Sequence, residues 1–198
     1  MRIVAFGDSI TEGVIGVTPE QNWLKLLGGR LGPDYELFNA GVGGNSAREA
    51  MARFEKDVLA RRPDAILIEF GGNNHDSVRP ERCVDDTEFK QHLIQFKNRL
   101  PKSCRVMMIT FPPIIDEQHA SWKLVPDGKV DDRLQSQRQI VRDFAAENGW
   151  PLLDLHKLMY PRRYELILKD GVHLNPSGQA FFAEEVYKLM KQEGWIEQ

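Results

Sequence analysis

The sequence predicts an α/β protein with a doubly wound, five-stranded parallel sheet. Two observations carry this prediction. Short apolar runs of strand length alternate along the chain with longer segments of helical periodicity, and the runs are almost continuously apolar. Strands that helices cover on both faces have such runs. Regular alternation of strand and helix is typical of parallel sheets that lie between two helical layers.

Five apolar runs are predicted to form the strands of this sheet. Glycine or proline closely follows each of the first four, and these residues commonly mark the end of a strand. The fifth run has the weakest pattern. The predicted strands are residues 3–6, 35–39, 65–70, 106–111 and 152–155.

Five further segments have the periodicity of helices. Ser46, with Glu49 three residues later, has the pattern of a capping box. Gly149 is a usual helix stop, and Asn175 followed by Pro176 is a usual helix start. The predicted helices are residues 20–31, 46–60, 87–100, 131–148 and 176–190.

Composition and charge favour one ordinary globular domain over residues 1–198. Of the 198 residues, 41% are hydrophobic and 28% are charged, which is usual for globular proteins. The formal net charge of -3 gives no electrostatic reason to expect nucleic acid or an anionic membrane as a partner. The composition does not indicate an oligomeric state.

Cysteine usage and the N-terminal residues predict a cytoplasmic protein. Cys83 and Cys104 are too few for a disulfide framework. No run approaches the ~20 apolar residues that a membrane helix needs. The first residues enter a strand-like run directly, whereas a signal peptide has a longer apolar segment and a small-residue cleavage site.

A serine follows the first predicted strand, in the segment GDSIT of residues 7–11. Ligands of doubly wound sheets bind beyond the carboxyl ends of the strands, so the Ser9 hydroxyl is placed to face a site. The strand-to-helix elbow of the α/β-hydrolase fold presents its serine in a similar way, but Thr11 stands where that motif has glycine. The alternative interpretation is a helix-capping serine in a turn.

The segment DGVH, residues 170–173, contains a candidate base and its orienting acid. A serine hydroxyl needs an adjacent base, and the imidazole of histidine, with an ordinary pKa of about 6.5, is suited to this task. Asp170 could hold the ring of His173 so that its far nitrogen faces Ser9. The alternative is an exposed loop in which His173 caps the following helix.

Two glycine-rich segments offer donors for a developing oxyanion. Gly44 in NAGVGGN can present a backbone N–H, and Asn73 in GGNN can present a side-chain amide. The backbone N–H of Ser9 is a third candidate donor. Taken singly, Gly44 and Asn73 are equally explained as turn residues, because glycine and asparagine are common in turns.

Together the four segments resemble the blocks of the GDSL-type, or SGNH, hydrolase family. GDSIT, NAGVGGN, GGNN and DGVH contain Ser9, Gly44, Asn73 and His173 in the family's order, and Asp170 precedes the histidine. The resemblance implies a three-layer α/β/α sandwich of flavodoxin-like topology and a serine esterase that uses no metal or organic cofactor. The third block commonly ends in Asp, whereas this chain has Asn74.

The family resemblance leaves the substrate open among small-molecule esters. The short connections offer little material for a lid, which favours short acyl groups such as acetyl; thioesterase and lysophospholipase activities are alternatives within the family.

Two non-enzymatic alternatives are a flavodoxin-like module that binds flavin mononucleotide and a carbohydrate-binding module. Neither explains the full set of candidate catalytic residues.

The sequence does not assign a catalytic role to the remaining histidines or to the least regular segment. His75, directly after GGNN, is similar to the histidine of the GNH motif in metal-dependent phosphoesterases. Such a metal site would also need a DxH motif near the first strand, where this chain has Ser9 and Ile10, so His75 is not predicted to bind a metal. His92, His119 and His156 are predicted to be surface or packing residues. Residues 112–129 form either a substrate-side loop or a long surface connection, and Trp122 within them either lines the cleft or anchors the loop.

Overall fold

The computed structural model describes residues 1–75, 81, 83–120 and 128–196. Five parallel strands form one sheet in the order β2-β1-β3-β4-β5. This is the strand order of flavodoxin-like folds and confirms the predicted doubly wound parallel sheet. The strands are β1 (Arg2–Gly7), β2 (Glu36–Gly41), β3 (Ala65–Glu69), β4 (Arg105–Ile109) and β5 (Leu152–Leu153).

Helices cover both faces of this sheet and complete the three-layer sandwich. The helices of the described part are α1 (Ser9–Glu12), α2 (Trp23–Leu31), α3 (Ala47–Asp57), α4 (Asp86–Arg99), α5 (Val130–Arg133), α6 (Gln135–Asn148), α7 (Leu155–Met159), α8 (Arg163–Leu166) and α9 (Pro176–Gln192). Residues of α2 and α9 share one core cluster, and residues of α3, α4 and α6 share the other.

Side chains of the central strands alternate between the two cores, as the period of a strand requires. Ile3 and Ala5 of β1 belong to the core with α2 and α9, whereas Val4 and Phe6 belong to the core with α3, α4 and α6. Around Phe6 lie the rings of three further phenylalanines, with centroids 4.9–5.4 Å from its own: Phe54, Phe70 and Phe96. Burial on both faces explains why β1, β3 and β4 are nearly continuous apolar runs.

Besides shifts of one to three residues at element ends and the short helices α7 and α8, which were not predicted, the structure corrects the prediction in three places. The fifth strand ends at Leu153, because Asp154 accepts a hydrogen bond from Lys157 N and caps α7. The helix predicted over residues 131–148 is two helices, α5 and α6, which meet at Leu134. The short helix α1, which begins at Ser9, was not predicted, because four residues are too few to show a periodicity.

The polar loops lie where the strands end. Residues 8–9 follow β1, residues 42–46 follow β2, and residues 70–74 follow β3, all at the carboxyl edge of the sheet. Across the described ranges we find no helix with the length and apolar character that crossing a membrane requires. The cytoplasmic location stays a prediction from the sequence.

Candidate active site

Ser9 is the first residue of α1, directly after β1. The side chain of Asp8 accepts a hydrogen bond from Ile10 N at 2.9 Å and so caps this four-residue helix. A side chain at Gly7 would collide with Thr11 and would approach the carbonyl oxygen of Glu69 at 2.6 Å. The tight turn from β1 into α1 therefore depends on glycine at position 7 and holds Ser9 at the edge of the sheet.

The carbonyl groups at the end of α1 are satisfied by side chains of other elements. Trp23 donates from Nε1 to Thr11 O at 2.8 Å, and Asn22 donates to Glu12 O at 2.9 Å. The amide of Asn39, in β2, also donates to Glu12 O, at 3.0 Å. A helix this short would not persist alone, so these contacts hold the turn that presents Ser9.

Ser9, His173 and Asp170 form a continuous hydrogen-bonded series. His173 Nε2 lies 3.0 Å from Ser9 Oγ, and His173 Nδ1 lies 2.7 Å from Asp170 Oδ2. The backbone N–H groups of Val172 and His173 donate to Asp170 Oδ1 at 2.9 and 3.0 Å. An imidazole that donates from Nδ1 to this carboxylate presents Nε2 as the acceptor for the Ser9 hydroxyl.

The surroundings of Asp170 favour its ionised form. Partial burial alone would raise the pKa of Asp170, but the hydrogen bonds from Val172 N and from the ring and backbone of His173 outweigh it. The pKa of Asp170 is therefore lowered, and the carboxylate remains charged beside His173. A charged carboxylate at this place can stabilise an imidazolium that forms when His173 takes a proton.

The loop after β2 is held beside Ser9 by Arg53. The Arg53 guanidinium donates to Asn45 Oδ1 at 2.7 Å, to Ala40 O at 2.6 Å and to Gly7 O at 2.7 Å. It thereby joins the ends of β1 and β2 to this loop. Gly44 adopts φ +74°, in the left-handed region that favours glycine. This role of Arg53 was not predicted, because an arginine within a helix gives no sign of contacts outside that helix.

The Asn73 amide lies between the Ser9 turn and the Gly44 loop. Its Nδ2 donates to Asp8 Oδ2 at 2.9 Å and to Asn45 O at 3.3 Å. Both amide hydrogens are thus directed to protein acceptors, and the second bond is longer than the usual range of hydrogen bonds. The Asp8 carboxylate fixes the orientation of Asn73, and the bond to Asn45 O is the weaker of the two.

Asn74, where the family commonly has Asp, is fully buried, and both the oxygen and the nitrogen of its side-chain amide make hydrogen bonds. Its Oδ1 accepts from Ala47 N at 3.0 Å, and its Nδ2 donates to Gln137 Oε1 at 2.6 Å. The amide therefore anchors the loop after β3 to the start of α3 and to α6. The loop that carries Asn73 is organised without a carboxylate at this position.

A small cavity of about 60 Å³ opens beside Ser9. His119, which was predicted to be a surface or packing residue, lines it, and burial lowers the pKa of His119. Of the segment 112–129, Pro112, Ile114 and His119 thus border this cavity, whereas Trp122 lies outside the described residues. The lining residues are Asp8, Ser9, Ile10, Gly72, Asn73, Phe111, Pro112, Ile114, His119 and Val172.

The remaining histidines have other partners or positions. His92 Nε2 lies 3.2 Å from Glu88 Oε1, and His156 Nε2 lies 3.4 Å from Asp131 Oδ2. His75 follows Asn74, and burial lowers its pKa. The described part of the chain has no group of three or more histidine, cysteine, aspartate or glutamate side chains placed to hold a metal ion.

Fold and site together define a hydrolase of the three-layer α/β/α class, with a hydroxyl, an imidazole and a carboxylate in hydrogen-bond contact. The sequence model of the GDSL-like lipase/acylhydrolase family matches residues 5–181, and the chain belongs to this family. It is a carboxylic ester hydrolase.

Two curated relatives carry names that state an ester substrate. The isoamyl acetate-hydrolyzing esterase 1 homolog of Rattus norvegicus is 27% identical over an alignment of 205 positions, which covers 96% of this chain and 81% of the relative. An acetylxylan esterase of Xylanibacter ruminicola is 25% identical over an alignment of 221 positions, which covers 96% of this chain. The match spans only 43% of that relative, so this chain corresponds to less than half of its length.

Among solved structures, the lipase/acylhydrolase from Enterococcus faecalis superposes with a TM-score of 0.81 at 24% sequence identity. The superposition covers 99% of this chain and 97% of that one. At this level of identity the likeness establishes the shared fold.

Proposed function

We propose that this protein is a serine esterase that hydrolyses small carboxylic esters, with acetyl and other short acyl groups, through an acyl-enzyme on Ser9. The observation that carries the proposal is the series Ser9–His173–Asp170, with contacts of 3.0 and 2.7 Å. These contacts have the geometry that proton transfer from the nucleophile to a base requires.

In the first half of the reaction, Ser9 Oγ attacks the ester carbonyl carbon and its proton passes to His173 Nε2. The carbonyl π electrons move to oxygen and form a tetrahedral oxyanion. When this intermediate collapses, the bond to the alcohol oxygen breaks and His173 returns the proton to the leaving alcohol. Asp170 stabilises the imidazolium during this step.

The oxyanion is bound by the backbone N–H groups of Ser9 and Gly44 and by the Asn73 amide. Asn73 reaches the oxyanion by giving up its 3.3 Å bond to Asn45 O, while the 2.9 Å bond to Asp8 keeps the amide oriented. Donors that are held in place before the reaction stabilise a developing charge more effectively than mobile donors.

In the second half, water replaces the alcohol. His173 takes a proton from water, whose oxygen attacks the acyl carbon, and the second tetrahedral intermediate collapses to release the carboxylic acid. The proton returns to Ser9 Oγ, and the enzyme is restored.

No step uses a metal, so we expect a chelator to leave activity unaffected; EDTA-sensitive activity that zinc or manganese restores would contradict this mechanism.

The cavity beside Ser9 supports a short acyl group. Its walls include Ile10, Phe111 and Ile114, which suit a small apolar chain, and its volume is about 60 Å³. A single water occupies about 30 Å³ of liquid, so the cavity has room for a few non-hydrogen atoms. Two relatives whose names state acetylated substrates are consistent with this size.

The test is turnover of an activated acetyl ester by Ser9→Ala. We expect this variant to retain less than about a thousandth of the wild-type kcat, since removal of the nucleophile in a serine hydrolase costs several orders of magnitude. Ser136→Ala, at an exposed position of α6, is the matched control and should behave as the wild type. Activity of Ser9→Ala above a few per cent would contradict the proposal.

A further inference from the structure

A second acidic side chain lies behind the turn that carries Ser9. Glu69 is the last residue of β3, and it and Asp8 are each 1% exposed. Glu69 Oε2 accepts a hydrogen bond from Thr11 Oγ1 at 3.0 Å. Glu69 Oε1 is buried, and no fixed hydrogen-bond donor of the described residues reaches it. Two groups of Asp8 lie beside the Glu69 carboxyl: the Asp8 carboxyl, and the Asp8 backbone N–H, whose contact opposes the rise in the pKa of Glu69.

The hydrogen bonds that Asp8 accepts favour the ionised form of its carboxyl. Asp8 Oδ1 accepts from Ile10 N at 2.9 Å, and Asp8 Oδ2 accepts from Asn73 Nδ2 at 2.9 Å. Both oxygens of Asp8 therefore act as acceptors, as those of a carboxylate do. Glu69 faces this carboxylate without a donor for Oε1. A proton on Oε1 would complete the contact as an O–H···O hydrogen bond to Asp8.

The electrostatic surroundings agree with this assignment. Burial, and next the charge of Asp8, raise the pKa of Glu69 far above its ordinary value. Burial also raises the pKa of Asp8, to about 6, although the bonds from Ile10 N, Glu69 and Asn73 and the charge of His173 oppose this rise. The Arg53 guanidinium faces Asp8 from α3, whereas Thr11 is the polar side chain that faces Glu69 from α1. Two buried carboxyl groups in contact do not both ionise.

We propose that Glu69 and Asp8 hold one proton between them, carried by Glu69, and that this pair positions the Asn73 amide and the Ser9 turn. Glu69 is a positioning residue: it acts through Asp8, which orients Asn73 and caps α1. The consequence for catalysis rests on the function proposed above, whereas the protonation of the pair does not.

Two variants of matched size test the proposal kinetically. Glu69→Gln places an amide N–H where the acid carries its proton and an amide oxygen where Thr11 donates, so it should retain kcat within about threefold. Glu69→Leu fills similar space but cannot donate to Asp8. Its kcat should fall about 10- to 100-fold with little change in KM, since small displacements of catalytic groups have effects of this order. Equal losses of kcat in both variants would overturn the proposal.

A direct measurement keeps the proposal testable if Glu69→Leu fails to fold. The infrared difference spectrum between the wild type and Glu69→Gln at neutral pH should contain the carbonyl band of a protonated carboxylic acid. Absence of this band would overturn the assignment of the proton, whatever the kinetics. The outcome is independent of the proposed function: if Ser9→Ala stayed active while the band was present, the mechanism would fail and the pair would stand.

Discussion

Asn74 Nδ2 donates to Gln137 Oε1 at 2.6 Å, and both side chains are fully buried. The Gln137 amide is itself fixed, because its Nε2 donates to Val84 O at 2.8 Å. Gln137 must therefore present its oxygen to position 74, and the residue there needs a hydrogen to give. An ionised aspartate, the common residue of the family, has none.

Asn74→Asp should consequently destabilise the protein at neutral pH. The introduced carboxylate keeps the bond from Ala47 N but faces Gln137 Oε1 without a hydrogen, and an unsatisfied buried contact of this kind costs about 1–3 kcal/mol. Protonation would restore the missing donor, so the loss should shrink as the pH falls. Thermal unfolding at neutral and acidic pH measures both effects. A melting temperature equal to that of the wild type at neutral pH would show that Gln137 reorients freely.

Asn73→Ala should reduce kcat and change KM little. If the amide contacts the oxyanion mainly in the transition state, its loss costs about 10²–10³ in rate, or roughly 2.7–4 kcal/mol. The substitution also removes a hydrogen bond to Asp8, so kinetics should be measured well below the melting temperature of the variant. A loss under about fivefold in kcat, together with a lowered melting temperature, would make Asn73 a structural residue.

Acyl preference should respond to Ile114 and not to its neighbour. The wild type should act best on acetyl to butanoyl esters, and a higher kcat/KM on a sixteen-carbon ester than on an acetate would refute the short-acyl assignment.

Ile114 lines the cavity, so Ile114→Ala should shift the ratio of kcat/KM for long over short acyl chains upward. Ile115 packs in the core with α2 and α9, and Ile115→Ala is the matched control. The same shift in both variants would mean that loosened packing, not the cavity, sets the preference.

The stability of the protein should depend on pH through Glu69. Because the pKa of Glu69 is raised in the folded state, the native protein keeps a proton that the unfolded chain loses above about pH 4.3. The contribution of Glu69 to the free energy of unfolding therefore decreases as the pH rises from about 4.3 toward the folded-state pKa. Its slope is at most about 1.4 kcal/mol per pH unit.

Urea unfolding of the wild type and Glu69→Gln from about pH 5 to 8 isolates this contribution, because glutamine binds no proton. The difference in free energy of unfolding, wild type minus variant, should fall as the pH rises. A difference that grew with pH would show that Glu69 is ionised in the native protein.

Periodicity was sufficient to predict the fold because the central strands are apolar on both faces. It could not find α1, whose four residues are held by Asn22, Trp23 and Asn39 from other elements. Helix ends followed local chemistry: the capping box of Ser46 and the Asn175 cap are formed as predicted. The break at Leu134 has no glycine or proline to mark it.

The candidate site was predictable only where its residues stand in recognisable blocks. The structure brings Ser9, His173 and Asp170 into contact, and it places Asn73 between the Ser9 turn and the Gly44 loop. Their roles remain proposals. The supporting residues Arg53, Glu69 and Gln137 act across large separations in sequence. Each is an ordinary helix or strand residue in its own segment, so no local pattern distinguishes it.

The most direct test of the mechanism is to identify the residue that a serine-directed covalent inhibitor modifies. The protein should be treated with a fluorophosphonate, which reacts with an activated serine, and the modified peptide should be identified by mass spectrometry. We expect one stoichiometric adduct on Ser9, slowed strongly by His173→Ala and absent from Ser9→Ala. An adduct on another residue, or labelling of Ser9→Ala at the wild-type rate, would contradict the assignment of Ser9 as the nucleophile.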